Sequence, residues 1–127
     1  MIWAWAAGIL AIGIAIWRYA RFAQVLGLVT EQVRARIETA FPENFIENAC
    51  RDHRNLGYLY GLTCLYVNEA APQRTSQAKA RSAQWVFRTL SPLEGRRLFA
   101  KSTQLILSAD ADFLSGLDIA TDELSAT

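Results

Sequence analysis

The sequence predicts an all-α protein: an N-terminal single transmembrane helix, continuing into an amphipathic helix, then a small three-helix cytoplasmic bundle. Three observations carry that reading. Residues 1–17 hold no charged side chain, the first being Arg18. Beyond them, apolar residues recur at steps of three and four, the period of a helix face. Long strand patterns are absent. A chain of 127 residues with formal net charge +1 has the size of one domain. Its near-neutral balance argues against a wholesale nucleic-acid binder. Hydrophobic residues make up 52%, with the excess at the N-terminus, so the average covers two different solvents. Two cysteines, Cys50 and Cys64, do not make a disulfide framework, and a reducing compartment fits them.

The anchor comes first. Seventeen uncharged residues reach roughly 25 Å as a helix, slightly short of the roughly 30 Å hydrocarbon core, so flanking side chains must snorkel or the bilayer must thin. Trp3 and Trp5 mark one rim, Trp17 and Tyr19 the other, as interfacial aromatics do. A cleavable signal peptide would want a basic stretch before the run and a small-x-small site after it; Met1-Ile2-Trp3 and Arg18-Tyr19-Ala20-Arg21 supply neither. Arg18, Arg21, Arg34 and Arg36 all follow the span, which by the positive-inside rule puts the C-terminal body in the cytoplasm. Within the span, Ala4 and Gly8, and Ala7, Ala11 and Ala15, repeat at four-residue steps. That spacing lets helix backbones approach closely, although alanine and glycine are common in any membrane helix.

The helix is expected to continue. Phe22, Leu26, Val29, Val33, Ile37 and Ala40 form an apolar stripe opposite Gln24, Glu31, Arg34 and Glu38, ending near Phe41-Pro42. It reads either as a straight stalk or, bent at Gly27, as a membrane-surface helix. The next helix is expected from a cap at Asn44 to Pro72, with Ala49, His53, Leu56, Tyr60, Thr63 and Val67 as its seam. Tyr58, Leu62 and Leu65 make residues 56–67 apolar nearly all round, as in a buried central helix; at twelve residues the run is too short to span, although a two-span hairpin is the competing reading.

A basic region follows, with seven cations from Arg74 to Lys101 against the single acid Glu94, and then an acidic end with five acids and no cation from Ser102 onward. Ala78, Ser82, Trp85, Val86 and Leu90 trace one helix face. Ser91-Pro92-Leu93-Glu94 is a helix start in which serine caps, proline takes the first turn and glutamate reaches back. The last helix is expected from about Pro92 to Ser108 or further, with Phe99, Ile106, Ala109 and Phe113 as core candidates. Ser115-Gly116 reads as its stop, before a frayed polar tail. The expected organisation is therefore an anchor over 1–21, a stalk or surface helix over 22–41, a helical domain over 42–115 and an acidic flexible tail over 116–127.

Four features are candidates for chemistry. Glu47, Cys50 and His53 stand at three-residue steps on one helix, but three ligands drift round it and a closed zinc site needs a fourth. A Cys-His nucleophile lacks a third residue to orient the base. Cys50 and Cys64 lie too far apart along one helix for a disulfide and read as small buried hydrophobes. The cations Arg74, Lys79, Arg81, Arg88, Arg96, Arg97 and Lys101, interleaved with Trp85 and Phe87, suit anionic lipid more than nucleic acid; their duller reading is a solvated face paired with the acidic tail. Tyr58, Tyr60 and Tyr66 are expected to pack their rings in the core with hydroxyls reaching water or backbone.

No cofactor, metal site or catalytic residue is expected. The leading functional expectation is a non-enzymatic, single-pass membrane accessory or scaffold subunit. Its interface residues would be Trp3, Trp5, Trp17, Arg18, Tyr19 and Arg21, its helix-packing residues Ala4, Ala7, Gly8, Ala11 and Ala15, and its partner or lipid contacts the seven cations above. Its partners would be the membrane, other membrane subunits or copies of itself, and anionic lipid, not nucleic acid. The alternative is a membrane-tethered sensor or regulator that exchanges the contact between basic helix and acidic tail for lipid or a protein partner. An enzyme or metal site around Cys50 and His53 comes third.

Overall fold

In the computed structural model, helix α1 runs unbroken from Ile2 to Ala40, 39 residues or roughly 58 Å. The structure describes residues 2–40, 49 and 51–125. Four further helices follow among them: α2 (His53–Ala70), α3 (Ser76–Leu90), α4 (Gly95–Leu107) and α5 (Ala111–Ser125). The described residues are thus all helix and turn, with no strand.

The two halves of α1 meet different surroundings. Every residue from Ile2 to Arg21 is exposed, and this is one helix long and apolar enough to cross a membrane. From Phe22 onward the apolar stripe is covered: Leu26, Val29, Val33 and Ile37 are all buried, against α2 and α3. Neither expectation for residues 22–41, free stalk or surface helix, describes this. The stripe belongs to the bundle's own core, and the helix passes Gly27 without a break. The bundle accordingly has five helical segments among the described residues, where three were expected.

Asp52 opens α2. Its backbone is extended (φ −115°, ψ 114°) and its carboxylate accepts from the Arg54 N–H at 2.9 Å, satisfying one of the orphan donors of a helix start. That extended residue interrupts the single helix expected from Asn44 to Pro72. Asn44, Phe41-Pro42, Glu47 and Cys50 lie outside the described residues. The seam is as the spacing predicts: Leu56, Thr63 and Val67 are buried, and so are Tyr58 and Leu62 on the opposite side. The apolar run at 56–67 is therefore wrapped by its own chain.

Thr75 caps α3 by accepting from the Ala78 N–H at 3.2 Å. Ser91 ends that helix and accepts from the Glu94 N–H at 3.2 Å, so the serine cap forms, although regular helix begins only at Gly95. Helix α4 then stops at Leu107, one residue after Ile106, which was expected to enter the core. Ile106 and Ala109 are exposed, whereas Phe113 is fully buried. Ala109 takes the left-handed conformation, φ 53°, and the Asp110 N–H reaches Leu105 O at 3.0 Å while the Ala109 N–H reaches Ile106 O at 3.1 Å. This is a Schellman turn with alanine where glycine is usual.

Asp110 restarts the chain by accepting from the Phe113 N–H at 3.0 Å. What was expected as a frayed tail over 116–127 is helix α5 up to Ser125, and its principal neighbour is α2. The contact is made by backbones. A Cβ on Gly57 would overlap the Phe113 carbonyl oxygen, one on Gly116 the Arg54 carbonyl oxygen, and one on Gly61 would stand 2.9 Å from the Ala120 Cβ. Gly57 and Gly61 on α2 thus face Gly116 and Ala120 on α5, both pairs at four-residue spacing.

Aromatic rings from four helices fill the centre. Tyr60 meets Phe87, Phe99 and Phe113 at centroid distances of 6.3, 6.0 and 5.8 Å, and Phe87 and Phe99 stack edge to face at 5.5 Å, within the favourable range for such pairs. The buried hydroxyls of Thr30, Thr63 and Ser102 each donate to the carbonyl four residues earlier, at 2.8 Å. Among the described residues no buried side-chain nitrogen or oxygen lacks a partner.

Candidate functional site

The cations expected to act as one surface divide into separate places. Arg81, Arg88, Arg96 and Arg97 are exposed, and Arg97 lies 3.9 Å from Glu94, a loose, solvated pair. Lys79 donates to the Asn68 amide oxygen at 2.6 Å. Lys101 lines an open groove along α4 with Glu94, Arg97 and Gln104. Arg74 goes elsewhere. It sits on the α2–α3 turn, which lies against α1 at the end of the apolar run, and there it shares a cavity of about 420 Å³ with Arg18 and Arg21.

That groove is built from two elements. Helix α1 supplies Trp17, Arg18, Arg21 and Phe22; the turn supplies Ala71 and Arg74. The Arg74 guanidinium carbon stands 3.8 Å from the Phe22 ring centroid, and that of Arg21 stands 5.2 Å from the Trp17 centroid. Both are cation–π contacts. A guanidinium held over a ring through its charge still carries N–H donors that can meet an oxyanion. Arg18 and Arg21 were expected at the membrane interface and Arg74 among the lipid contacts; the structure brings the two groups together. Trp3, Trp5 and Tyr19 are exposed on α1.

The face carrying Ala4, Gly8, Ala11 and Ala15 has a geometric relation to the bundle. At about 100° per residue these four positions fall on the same side of α1 as Leu26, Val29 and Val33. The small-residue face is therefore the upward continuation of the buried stripe. Ala4, Ala7, Gly8, Ala11 and Ala15 are all exposed, and nothing lies within 4 Å of where a Gly8 Cβ would be.

A second polar cluster locks the helices together. Arg36 Nε donates to the Tyr66 hydroxyl at 3.2 Å, and the Tyr58 hydroxyl donates to Glu123 at 2.5 Å. α1 and α5 are thereby both tied to α2. The tyrosine hydroxyls thus meet side chains, where water or backbone was expected. Burial pushes the Tyr58 phenol well up, with the Glu123 carboxylate adding to it, and pushes Tyr60 up to about 12. Because the fold holds the neutral phenols, their contribution is complete below the ordinary tyrosine value of 10.0 and is lost as pH climbs above it. Melting temperature measured from pH 8 upward is expected to fall beyond about pH 10. Tyr58→Phe is expected to flatten that alkaline slope.

The sulfur and imidazole groups stand apart from the groove. Burial raises the Cys64 pKa, opposed by a hydrogen bond from Tyr60, so the thiol form is favoured over the reactive thiolate. His53 Nδ1 lies 3.3 Å from Asp110. The Asp110 carboxyl is held below its usual range, chiefly by the Phe113 N–H and then by His53. His53 thus braces the cap of α5. Among the described residues no three histidine, cysteine or acidic side chains gather as a metal site.

Sequence reasoning missed Gly57, Gly116, Arg36 and Glu123, which hold the bundle together. The pairs Gly57/Gly61 and Gly116/Ala120 show the same small-residue spacing that was noticed in the apolar run. No protein-family model, curated protein or solved structure matches the chain.

Proposed function

We propose that the chain is a non-enzymatic, single-pass membrane accessory or scaffold subunit whose body lies in the cytoplasm. The observation that carries this reading is the single helix α1, wholly exposed over 2–21 and packed into the bundle over 22–37. A helix shared in this way couples the span to the body without a hinge. Any movement or rotation of the span is then transmitted to the domain below. Arg18, Arg21, Arg34 and Arg36 on the body side support the cytoplasmic orientation by the positive-inside rule.

The small-residue face supports docking to another membrane helix. A helix packed along Ala4, Gly8, Ala11 and Ala15 would stand directly above the bundle, so partners could meet both the span and the body. The scaffold reading is favoured over a sensor with a releasable tail because α5 is held by backbone contact at Gly57 and Gly116 and by the bond from Tyr58 to Glu123.

Extraction of the native membrane in mild detergent tests this. The expected result is a chain that stays with the membrane through alkaline carbonate and then runs in a stoichiometric assembly, either with a second membrane protein or as a homo-oligomer. Gly8→Leu, which fills the small-residue face, is expected to dissociate that assembly while leaving the helical content unchanged. A strictly monomeric extract, or an assembly indifferent to Gly8→Leu, would overturn the proposal.

A further inference from the structure

We propose that the groove between the end of the apolar run and the α2–α3 turn holds the phosphodiester headgroup of one anionic glycerophospholipid, between Arg18, Arg21 and Arg74. The inference rests on the reading of α1 as a span. Three observations carry it.

The first is position. Arg18 is the first charge after seventeen uncharged residues, so the groove opens at the level where a span of that length reaches the headgroups. The second is the state of the cations. Among the described residues none of the three makes an ion pair with a carboxylate, and two of them lie over aromatic rings, Arg21 over Trp17 and Arg74 over Phe22. The ring contact restrains each guanidinium, and with no carboxylate paired to it among the described residues the group has N–H donors for a phosphate. The third is room. The small side chains of Ala70 and Ala71 leave a space of about 420 Å³, within the range of small-molecule sites. The apolar wall of Trp17 and Phe22 beside the cations suits the junction between a charged headgroup and its acyl chains.

The arrangement also unites separate parts of the chain. Arg74 belongs to the turn between α2 and α3, so a lipid bound there would contact the span and the bundle at once. Binding would tighten the docking of the turn onto α1, and the leaflet's own lipid would help set the height of the body beneath the membrane.

Native mass spectrometry of the full chain released from micelles containing equal phosphatidylglycerol and phosphatidylcholine tests this. The expected spectrum retains one phosphatidylglycerol in preference to phosphatidylcholine. Arg74→Gln is expected to weaken that preference about fivefold, the weight of one cation at an anionic surface, while Arg96→Gln on α4 leaves it unchanged. Arg18→Gln, outside the packed half of α1, gives the same loss and carries the test if Arg74→Gln fails to fold. The proposal is overturned if the two lipids are retained equally, if Arg96→Gln costs as much as Arg74→Gln, or if excess inorganic phosphate displaces the lipid and so shows a site for any phosphate. A chain that alkaline carbonate strips from the membrane refutes the span itself. A chain that stays but shows no lipid preference refutes only the groove.

Discussion

Gly116→Ala is expected to loosen α5 from the bundle and lower the melting temperature sharply. The added methyl would overlap the Arg54 carbonyl oxygen and stand 2.8 Å from the Tyr58 backbone nitrogen. Both atoms belong to the backbone at the start of α2, so no side chain can swing aside. The helices must separate, and the Gly57–Phe113 contact opens with them. Alanine is intrinsically better than glycine in a helix by about 1 kcal/mol, but overpacking a close contact costs about 1–3 kcal/mol and sometimes more. With rigid atoms on both sides, the expected net loss is about 2 kcal/mol.

Gly57→Ala is expected to behave alike, and the double variant to fall short of the sum, because both changes open one interface. Gly27→Ala is the control. It lies in α1 with nothing within 4 Å of its absent Cβ, and a gain of about 0.5–1 kcal/mol is expected there. Thermal melts of the three proteins in one detergent, followed by circular dichroism, check the ordering. Equal stability of Gly116→Ala and the parent would refute the close contact.

These glycines also show where the sequence is readable and where it is not. The stripe from Phe22 to Ile37 was legible because burial on one side of a helix leaves a period in the sequence, and four of its residues are buried. What covers the stripe was not legible, since a period identifies a face and says nothing about the neighbour. Helix α5 was missed for a different reason. Its predecessor ends at Leu107 in a left-handed turn made by Ala109, a residue type that carries no stop signal, while Ser115-Gly116, which does read as a stop, lies inside α5. Glycine serves two physical ends, left-handed backbone and close approach, and sequence alone does not say which.

The acids were misread through the same ambiguity. A carboxylate late in a chain looks like solvated charge, yet Glu123 takes the Tyr58 hydroxyl and Asp110 caps α5. In the groove, each half was readable as basic and aromatic. Arg21 and Arg74 are far apart in the chain, and only the folding of α2 back toward α1 places them in one cavity.

Leu10→Arg and Val33→Arg are expected to fail in opposite ways, although they lie on the same helix. Leu10 stands midway along the apolar run and is 68% exposed; Val33 is 0% exposed. An arginine at the centre of a membrane helix costs about 2.5–3.5 kcal/mol of insertion free energy, which shifts the inserted fraction about a hundredfold or more. Leu10→Arg should therefore appear largely in the carbonate-soluble fraction. Its bundle should keep the parent's helical content and melting temperature, because no core residue of the body touches that position. Val33→Arg should do the reverse. Its charge would enter the packed contact of α1 with α2 and α3, a cost of several kcal/mol that either unfolds the body or forces α1 out of it. The unchanged residues 2–17 should still hold that variant in the membrane. If Leu10→Arg destroyed the fold of the body, or Val33→Arg released the chain from the bilayer, the division of α1 between two solvents would be wrong. The separation is expected because the helix has one hydrogen-bond ladder but two kinds of surroundings: an exposed apolar run before Arg18, and its own chain beyond Arg21.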